Sequence, residues 1–230
     1  MASSNEKKED LNTGERIANF IQKNRGKLII TIVSIVVLVS ALIACLSILD
    51  VLREKALGKV EDFARRYDAL IIDINEPSKE ADVSALVDEL TRFAESNSAY
   101  AGARAYSLLG SIYAEKKDWA QAEKAWTSAA RTAAKTYLAP AALFNAAVAA
   151  EEQGNLDQAI SLYSESASYA ENFPAAPRSQ FAVGRLYEEQ GNNQAAIDAY
   201  RGIGEKWPSA STWINLARNR LITLNAGSES

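Results

Sequence analysis

The sequence predicts an all-α protein, in which a single N-terminal transmembrane helix is followed by an α-solenoid of three helix hairpins with flanking capping helices. The pentapeptide Glu-Glu-Gln-Gly-Asn occurs at Glu151–Asn155 and again 37 positions later at Glu188–Asn192. A fixed period without insertion or deletion is typical of repeat proteins, whose units bury their apolar faces against one another. Residues 28–49 carry no charge, which is typical of a membrane-spanning helix.

The composition excludes most catalytic chemistry. The 230 residues include no histidine, so no imidazole can act as general base or metal ligand. The single cysteine, Cys45, cannot form an intrachain disulfide. Catalysis by carboxylates alone stays open, although a helical repeat array seldom builds a deep pocket for it. We therefore expect no enzyme, no catalytic residue, no metal, no cofactor and no small-molecule substrate.

Residues 1–27 are predicted to be a charged N-terminal segment, and residues 28–49 the transmembrane helix. The 22 residues of this helix include 15 Leu, Ile or Val. Their helix would be about 33 Å long, enough to cross a hydrocarbon core of roughly 30 Å. The alternative is a buried core helix, but the segment has no polar stripe to face water.

This apolar segment could be either a signal sequence that is cleaved before Cys45 or an uncleaved membrane anchor. Leu42-Ile43-Ala44-Cys45 resembles a bacterial lipobox, in which cleavage before the cysteine would leave a lipid-modified Cys45. The protein would then be a lipoprotein scaffold in envelope assembly. Signal peptides usually have a short basic start and an apolar region of about 7–15 residues. Here 27 residues precede the apolar run, so an uncleaved anchor is favoured.

The flanking charges predict the orientation of the span. Four basic residues lie in the 15 positions before it and three in the 15 positions after it, which favours a cytoplasmic N-terminus. Residues 50–230 would then lie outside the cytoplasm. They contain 19 basic and 25 acidic side chains, so their net charge of −6 gives no electrostatic case for binding nucleic acid.

Residues 50–97 are predicted to form a helical hairpin that caps the repeats. Apolar residues recur every three or four positions, and Asn75-Glu76-Pro77 interrupts them because proline disfavours helical backbone in the preceding residue. The apolar positions of the first helix are Leu52, Ala56, Val60, Phe63, Tyr67, Leu70 and Ile74. The second helix runs from about Asp82 to Ser96, with apolar positions Val83, Leu86, Val87, Leu90, Phe93 and Ala94.

Residues 98–210 are predicted to contain three units of two antiparallel helices, A and B, and residues 211–230 a C-terminal capping helix and tail. The turns between A and B align at 117–118, 154–155 and 191–192. Glycine at such a turn supplies the left-handed residue that ends helix A, and Asp or Asn caps helix B. Capping boxes are approximated by the pairs Asp118 with Gln121 and Asn155 with Gln158.

Small and aromatic residues form two further columns, in which small residues let A and B approach closely and aromatic residues fill the space between them. The small column is Gly110, Ala147 and Gly184, and the aromatic column is Trp126, Tyr163 and Tyr200. These columns resemble the tetratricopeptide repeat, whose pattern is W-x2-L-G-x2-Y…A-x3-F…P. Unit one matches it with Leu109, Gly110, Tyr113, Ala122 and Trp126. Unit three matches it with Gly184, Tyr187, Ala196, Tyr200 and Pro208.

The resemblance implies a protein-binding repeat domain, with about three residues more per unit than the standard 34. The whole layout also resembles the YfgM-type ancillary subunits of the bacterial SecYEG translocon: a charged start, one span, a hairpin that contains 93–100, and then repeats. That resemblance implies a single-pass protein of the bacterial inner membrane whose repeats are periplasmic. Its expected partners are the translocon, periplasmic chaperones or emerging chains.

In tetratricopeptide arrays the A helices line the inner surface, so the resemblance places the candidate partner-binding residues there. That face comprises Arg104, Ser107, Ser111, Phe144, Val148, Arg178, Phe181 and Arg185, and all but the two serines are candidate partner-binding residues. They would form a cationic and aromatic groove for an extended peptide or a helix. Alternatively, the two phenylalanines belong to the core between repeats and the arginines are solvated. Asn145 matches a carboxylate-clamp position, but the lysines of that clamp are missing, so we expect no recognition of a C-terminal carboxylate.

Two acidic pairs and four tryptophans have simpler interpretations than a site. Glu151-Glu152 and Glu188-Glu189 suggest a metal or acid–base site, but their position at the ends of A helices favours solvated charge. We expect core or end-packing roles, in preference to ligand stacking, for Trp119, Trp126, Trp207 and Trp213.

Overall fold

The computed structural model describes residues 13–74, 76–169 and 173–227, and these residues form nine α-helices and no strand. The all-α prediction is therefore confirmed, while predictions for residues 1–12 and 228–230 lie outside the described residues. Two single-turn 3-10 helices, Ile71–Asp73 and Pro77–Lys79, connect the first two α-helices. The α-helices are α1 (Thr13–Leu70), α2 (Glu80–Ser96), α3 (Tyr100–Glu115), α4 (Trp119–Thr132), α5 (Leu138–Glu152), α6 (Leu156–Ser168), α7 (Ala176–Glu189), α8 (Asn193–Lys206) and α9 (Ser211–Gly227).

The chain divides into two compact units, Met1–Lys55 and Ala56–Ser230. In the first unit, α1 is long and apolar enough to cross a membrane, and residues 29–55 are all exposed. Leu52 lies in this unit and is 56% exposed. The prediction that Leu52 joins the apolar face of the hairpin is therefore wrong, because the packed face of the helix begins further along, at Ala56, and its first fully buried residue is Val60.

In the second unit, residues 56–70 of α1 pack against α2, and the two segments form a helical hairpin. Val60 and Phe63 are fully buried there, as the apolar spacing predicts. The rings of Phe63 and Phe93 meet edge to face with their centroids 5.5 Å apart, a favourable aromatic geometry. The same core includes Leu109 and other residues of α3, so the hairpin covers the first repeat.

The helix pairs α3–α4, α5–α6 and α7–α8 are the three repeats, and their A and B helices approach closely at the small column. A Cβ atom on Gly110 would lie 2.5 Å from Nε1 of Trp126, and one on Gly184 would lie 2.6 Å from Cε1 of Tyr200. Real Cβ atoms do not approach other atoms so closely, so no side chain fits at these positions without a shift of the aromatic ring.

Left-handed residues end the three A helices. They are Lys117 (φ 58°), Gly154 (φ 75°) and Gly191 (φ 74°). Asp118 then caps α4 by accepting a hydrogen bond from the Gln121 backbone, and Asn192 caps α8 by accepting one from the Ala195 backbone. Asn155 makes no such bond, so the predicted capping box is wrong in the second repeat. The first turn of α6 contains an acidic residue, Asp157. Its negative charge interacts favourably with the positive N-terminal end of the helix dipole and so stabilises the start of the helix.

Candidate partner-binding groove

Five of the six candidate partner-binding residues line one small depression between repeats two and three. It has a volume of about 190 Å³. We call it the aromatic groove, and its lining consists of Phe144, Val148, Tyr163, Arg178, Phe181, Ala182, Arg185 and Trp213. The sequence did not point to Tyr163, Ala182 or Trp213 as groove residues: Tyr163 was predicted to fill the space between the A and B helices, Trp213 was predicted to have a core or end-packing role, and no pattern indicated Ala182.

Helix periodicity accounts for the arrangement of these side chains. Phe144 and Val148 are four residues apart on α5, so they share one face of that helix. Arg178, Phe181 and Arg185 share one face of α7 for the same reason. Trp213 reaches the groove from α9, so the C-terminal capping helix supplies one of its walls.

The aromatic rings of the groove are held by one another. The rings of Phe144 and Tyr163 meet edge to face at 5.2 Å between centroids. Phe181 lies between Tyr200, at 5.2 Å, and Trp213, at 5.6 Å. Both phenylalanines are half-buried. Each therefore packs on the core with part of its surface and leaves the rest at the groove.

Arg178 stacks on the wall of the groove. Its guanidinium carbon lies 4.5 Å from the centroid of the Phe144 ring, within the range of a cation–π interaction. The side chain is exposed. Among the described residues, Arg178 forms no ion pair with a carboxylate.

Arg185 forms ion pairs with two carboxylates of the chain itself. Its Nη2 atom donates to both oxygens of Glu151, each at 2.7 Å, and Glu189 lies 3.8 Å from its Nη1 atom. The Tyr163 hydroxyl donates to Glu151 at 3.2 Å. Burial, followed by the negative charge of Glu151, raises the pKa of Tyr163 well above its usual range. Tyr163 therefore stays protonated and acts as a hydrogen-bond donor to Glu151.

Arg104, the sixth candidate residue, lies outside the groove. It pairs with Glu61 of α1. This carboxylate comes from the capping hairpin, which has no counterpart in the later repeats. The period of the repeats therefore gives no indication of the pairing.

The expectation of solvated charge is wrong for two of the four glutamates. Glu151 binds Arg185, and Glu188 accepts from the Nε atom of Arg220 at 3.1 Å. The guanidinium of Arg220 holds the pKa of Glu188 below its usual range. Arg185 lies on helix A of the third repeat and Arg220 on the capping helix α9, so one ion pair connects repeats two and three and the other connects repeat three with the cap.

The groove offers apolar ring surface, one stacked guanidinium and one internally paired guanidinium. Such groups can hold apolar and anionic parts of a ligand. Within the described residues, no group of three or more His, Cys, Asp or Glu is arranged to hold a metal ion.

Helix hairpins stacked at a fixed period, with small residues of A facing aromatic residues of B, define an α-solenoid repeat protein. The chain is 31% identical over 227 residues to a TPR repeat-containing protein of Treponema pallidum (strain Nichols), and the match covers 92% of this chain and 94% of that protein. The chain therefore belongs to the tetratricopeptide repeat (TPR) proteins, whose repeats serve protein–protein interaction. Residues 109–200 also match a family described as a domain of unknown function, DUF6340.

Proposed function

We propose that this protein is a membrane-anchored interaction subunit that binds a partner protein through the aromatic groove. The observation that carries the proposal is the convergence of five predicted face residues on one depression in a TPR protein. Aromatic residues and arginine are enriched where protein–protein binding energy concentrates. The half-buried Phe144 and Phe181 would contribute apolar contact area, and the exposed Arg178 would contribute charge.

The apolar part of α1 would anchor the protein. From Ile29 to Leu49 its Leu, Ile and Val side chains are exposed in the described structure, and water is an unfavourable environment for them. The free energy of transfer of residues 28–49 into a membrane would be favourable by at most about 5–9 kcal/mol.

The basic residues before the span favour a cytoplasmic N-terminus, which would leave residues 50–230 outside the cytoplasm. Protease added to spheroplasts should then digest the repeats, and their full protection would reverse this topology.

The resemblance of the layout to YfgM-type subunits supports a translocon or a periplasmic chaperone as the partner. A photo-crosslinking amino acid placed at Val148, inside the groove, should capture this partner in intact membranes. Ser161 is exposed on α6, away from the groove lining, and supplies the control position. Mass spectrometry of the products identifies the partner. Equal crosslinking from Val148 and Ser161 would contradict binding at the groove, and a product that contains neither a translocon subunit nor a chaperone would contradict the partner class.

A lipoprotein scaffold is the second candidate, and the segment Leu42-Ile43-Ala44-Cys45 is the observation that favours it. Cys45 is exposed on α1. Palmitate labelling of the wild type and of Cys45→Ser separates the two candidates. Label that is present in the wild type and absent from the variant would establish the lipid anchor, whereas no label in either supports the uncleaved span.

A further inference from the structure

The three arginines of the predicted face differ in whether they form an ion pair with a carboxylate of the chain. Arg104 is paired with Glu61, and Arg185 with Glu151. Arg178 alone of these three has no carboxylate partner among the described residues. If a partner protein binds at this groove, the charge of Arg178, which no carboxylate in the described part of the chain neutralises, leaves one charged contact for the ligand to complete.

Arg178 is positioned so that its guanidinium can donate hydrogen bonds to a carboxylate of a ligand. Its guanidinium stacks on Phe144 at 4.5 Å, and the Phe144 ring is itself held by its edge contact with Tyr163. The ring contact engages the guanidinium from one side, so N–H groups of the guanidinium remain available to donate. The fork of these donors matches the two oxygens of a carboxylate. Because the stack already restricts the side chain, less conformational entropy is lost when a ligand binds.

Beside Arg178, and apart from Arg185 with its Glu151 partner, the groove is mostly apolar and it is small. Val148, Phe181 and Trp213 line it beside Arg178. Its volume of about 190 Å³ is below the roughly 300–1,000 Å³ that is typical of sites for drug-sized ligands. It therefore fits one large apolar side chain of a partner.

We infer that the aromatic groove recognises a segment of the partner protein in which an Asp or Glu side chain stands next to a large apolar residue. The carboxylate binds Arg178, and the apolar side chain packs against Val148, Phe181 and Trp213. This inference rests on the proposed function and specifies the chemistry of the ligand that the groove selects.

A phage-displayed library of random peptides, panned on the full chain in detergent micelles, tests the inference directly. We expect the enriched peptides to share an acidic residue beside Leu, Ile, Met, Phe or Trp. An enriched peptide is then synthesised with an amidated C-terminus, so that only side-chain carboxylates remain. Its dissociation constant is measured by fluorescence anisotropy. Enrichment of peptides without Asp or Glu, or of no peptide at all, would overturn the inference.

Substitutions on both sides of the interface test whether Arg178 of the protein contacts the acidic residue of the peptide. Arg178→Gln should raise the dissociation constant about tenfold, and so should replacement of the peptide's acidic residue by its amide. Combined, the two changes should cost little more than either alone, because they remove the same contact. Arg201→Gln, the same change at an exposed position of α8 outside the groove, should leave binding within about twofold. Equal effects of Arg178→Gln and Arg201→Gln would refute the assignment of Arg178.

The salt dependence gives a second readout that a merely structural role would not produce. Binding of the acidic peptide to the wild type should weaken with added salt, and this dependence should be largely lost in Arg178→Gln. If Val148 crosslinks the partner while the selected peptides lack acidic residues, the proposed function stands and the inference fails. If Val148 captures no partner and no peptide is enriched, both fail.

Discussion

The close approach of α7 and α8 predicts that Gly184→Ala destabilises the third repeat. The added Cβ atom would lie 2.6 Å from Cε1 of Tyr200 and 2.8 Å from Cδ1 and Cζ of the same ring. Optimal contacts between carbon atoms are about 3.5–4.0 Å. The ring cannot yield easily, since Tyr200 is 1% exposed and packs against Phe181. Either the two helices must separate or the ring must leave its place.

Two opposing effects set the change in the free energy of unfolding that Gly184→Ala causes. Overpacking a core typically costs about 1–3 kcal/mol, whereas alanine in a helix is favoured over glycine by about 1 kcal/mol. Gly202 of α8 isolates the second effect, because nothing lies within 4 Å of a Cβ atom built there. We therefore expect Gly202→Ala to stabilise the protein by about 1 kcal/mol, and Gly184→Ala to destabilise it by up to about 2 kcal/mol.

The difference between the two variants measures the overpacking cost alone. Thermal unfolding of the full chain in detergent, followed by circular dichroism, should place Gly184→Ala below the wild type and Gly202→Ala above it. Each kcal/mol should shift the midpoint by roughly 2–4 °C in a protein of this size. If Gly184→Ala raises the midpoint as much as Gly202→Ala does, then α7 and α8 do not pack as closely as described.

Three further predictions concern single side chains. Ala159→Leu should cost about 1–3 kcal/mol, because Ala159 is fully buried in the core of the repeats, and an unchanged melting curve would contradict this packing. Lys117→Gly should stabilise the fold by about 0.5–1 kcal/mol, since Lys117 has a left-handed backbone, and a lower melting temperature would argue against that conformation. Because the Arg220 pair lowers the pKa of Glu188 in the folded state, it stabilises the fold above the ordinary glutamate pKa of about 4.3 and is lost as the pH falls through the lower folded value. Urea titrations at neutral and acidic pH should therefore show a smaller loss of stability for Glu188→Gln than for the wild type, and equal losses would refute the role of the pair.

Features that repeat with the period could be predicted from the sequence. Glycine at positions 154 and 191 indicated left-handed turns, and the structure has them there. Gly184 and Tyr200 indicated a close contact between A and B helices, which is also present. Lys117 also has a left-handed backbone, but there only its alignment with Gly154 and Gly191, and not its residue type, indicates that conformation.

Contacts between side chains far apart in the sequence could not be predicted in the same way. Glu151 and Arg185 are separated by 34 residues, and Glu188 and Arg220 by 32, so neither pair follows the period of 37. Trp213 belongs to the last helix, and its place in the groove depends on how that helix packs. These contacts arise from the stacking of repeats, which leaves no local pattern in the chain.

The ion pair between Glu188 and Arg220 also bears on how the length of this domain can change during evolution. Loss of residues 156–192 would remove one period of 37 and join Asn155, the last residue of the first pentapeptide, to Asn193, the residue that follows the second. The glycine turn would be retained, and Glu151 would stand 32 positions before the former Arg220, the separation at which Glu188 pairs with it now. Unequal recombination between the repeated coding segments can therefore shorten or extend the array by whole units while the junction with the terminal helix keeps its electrostatic contact.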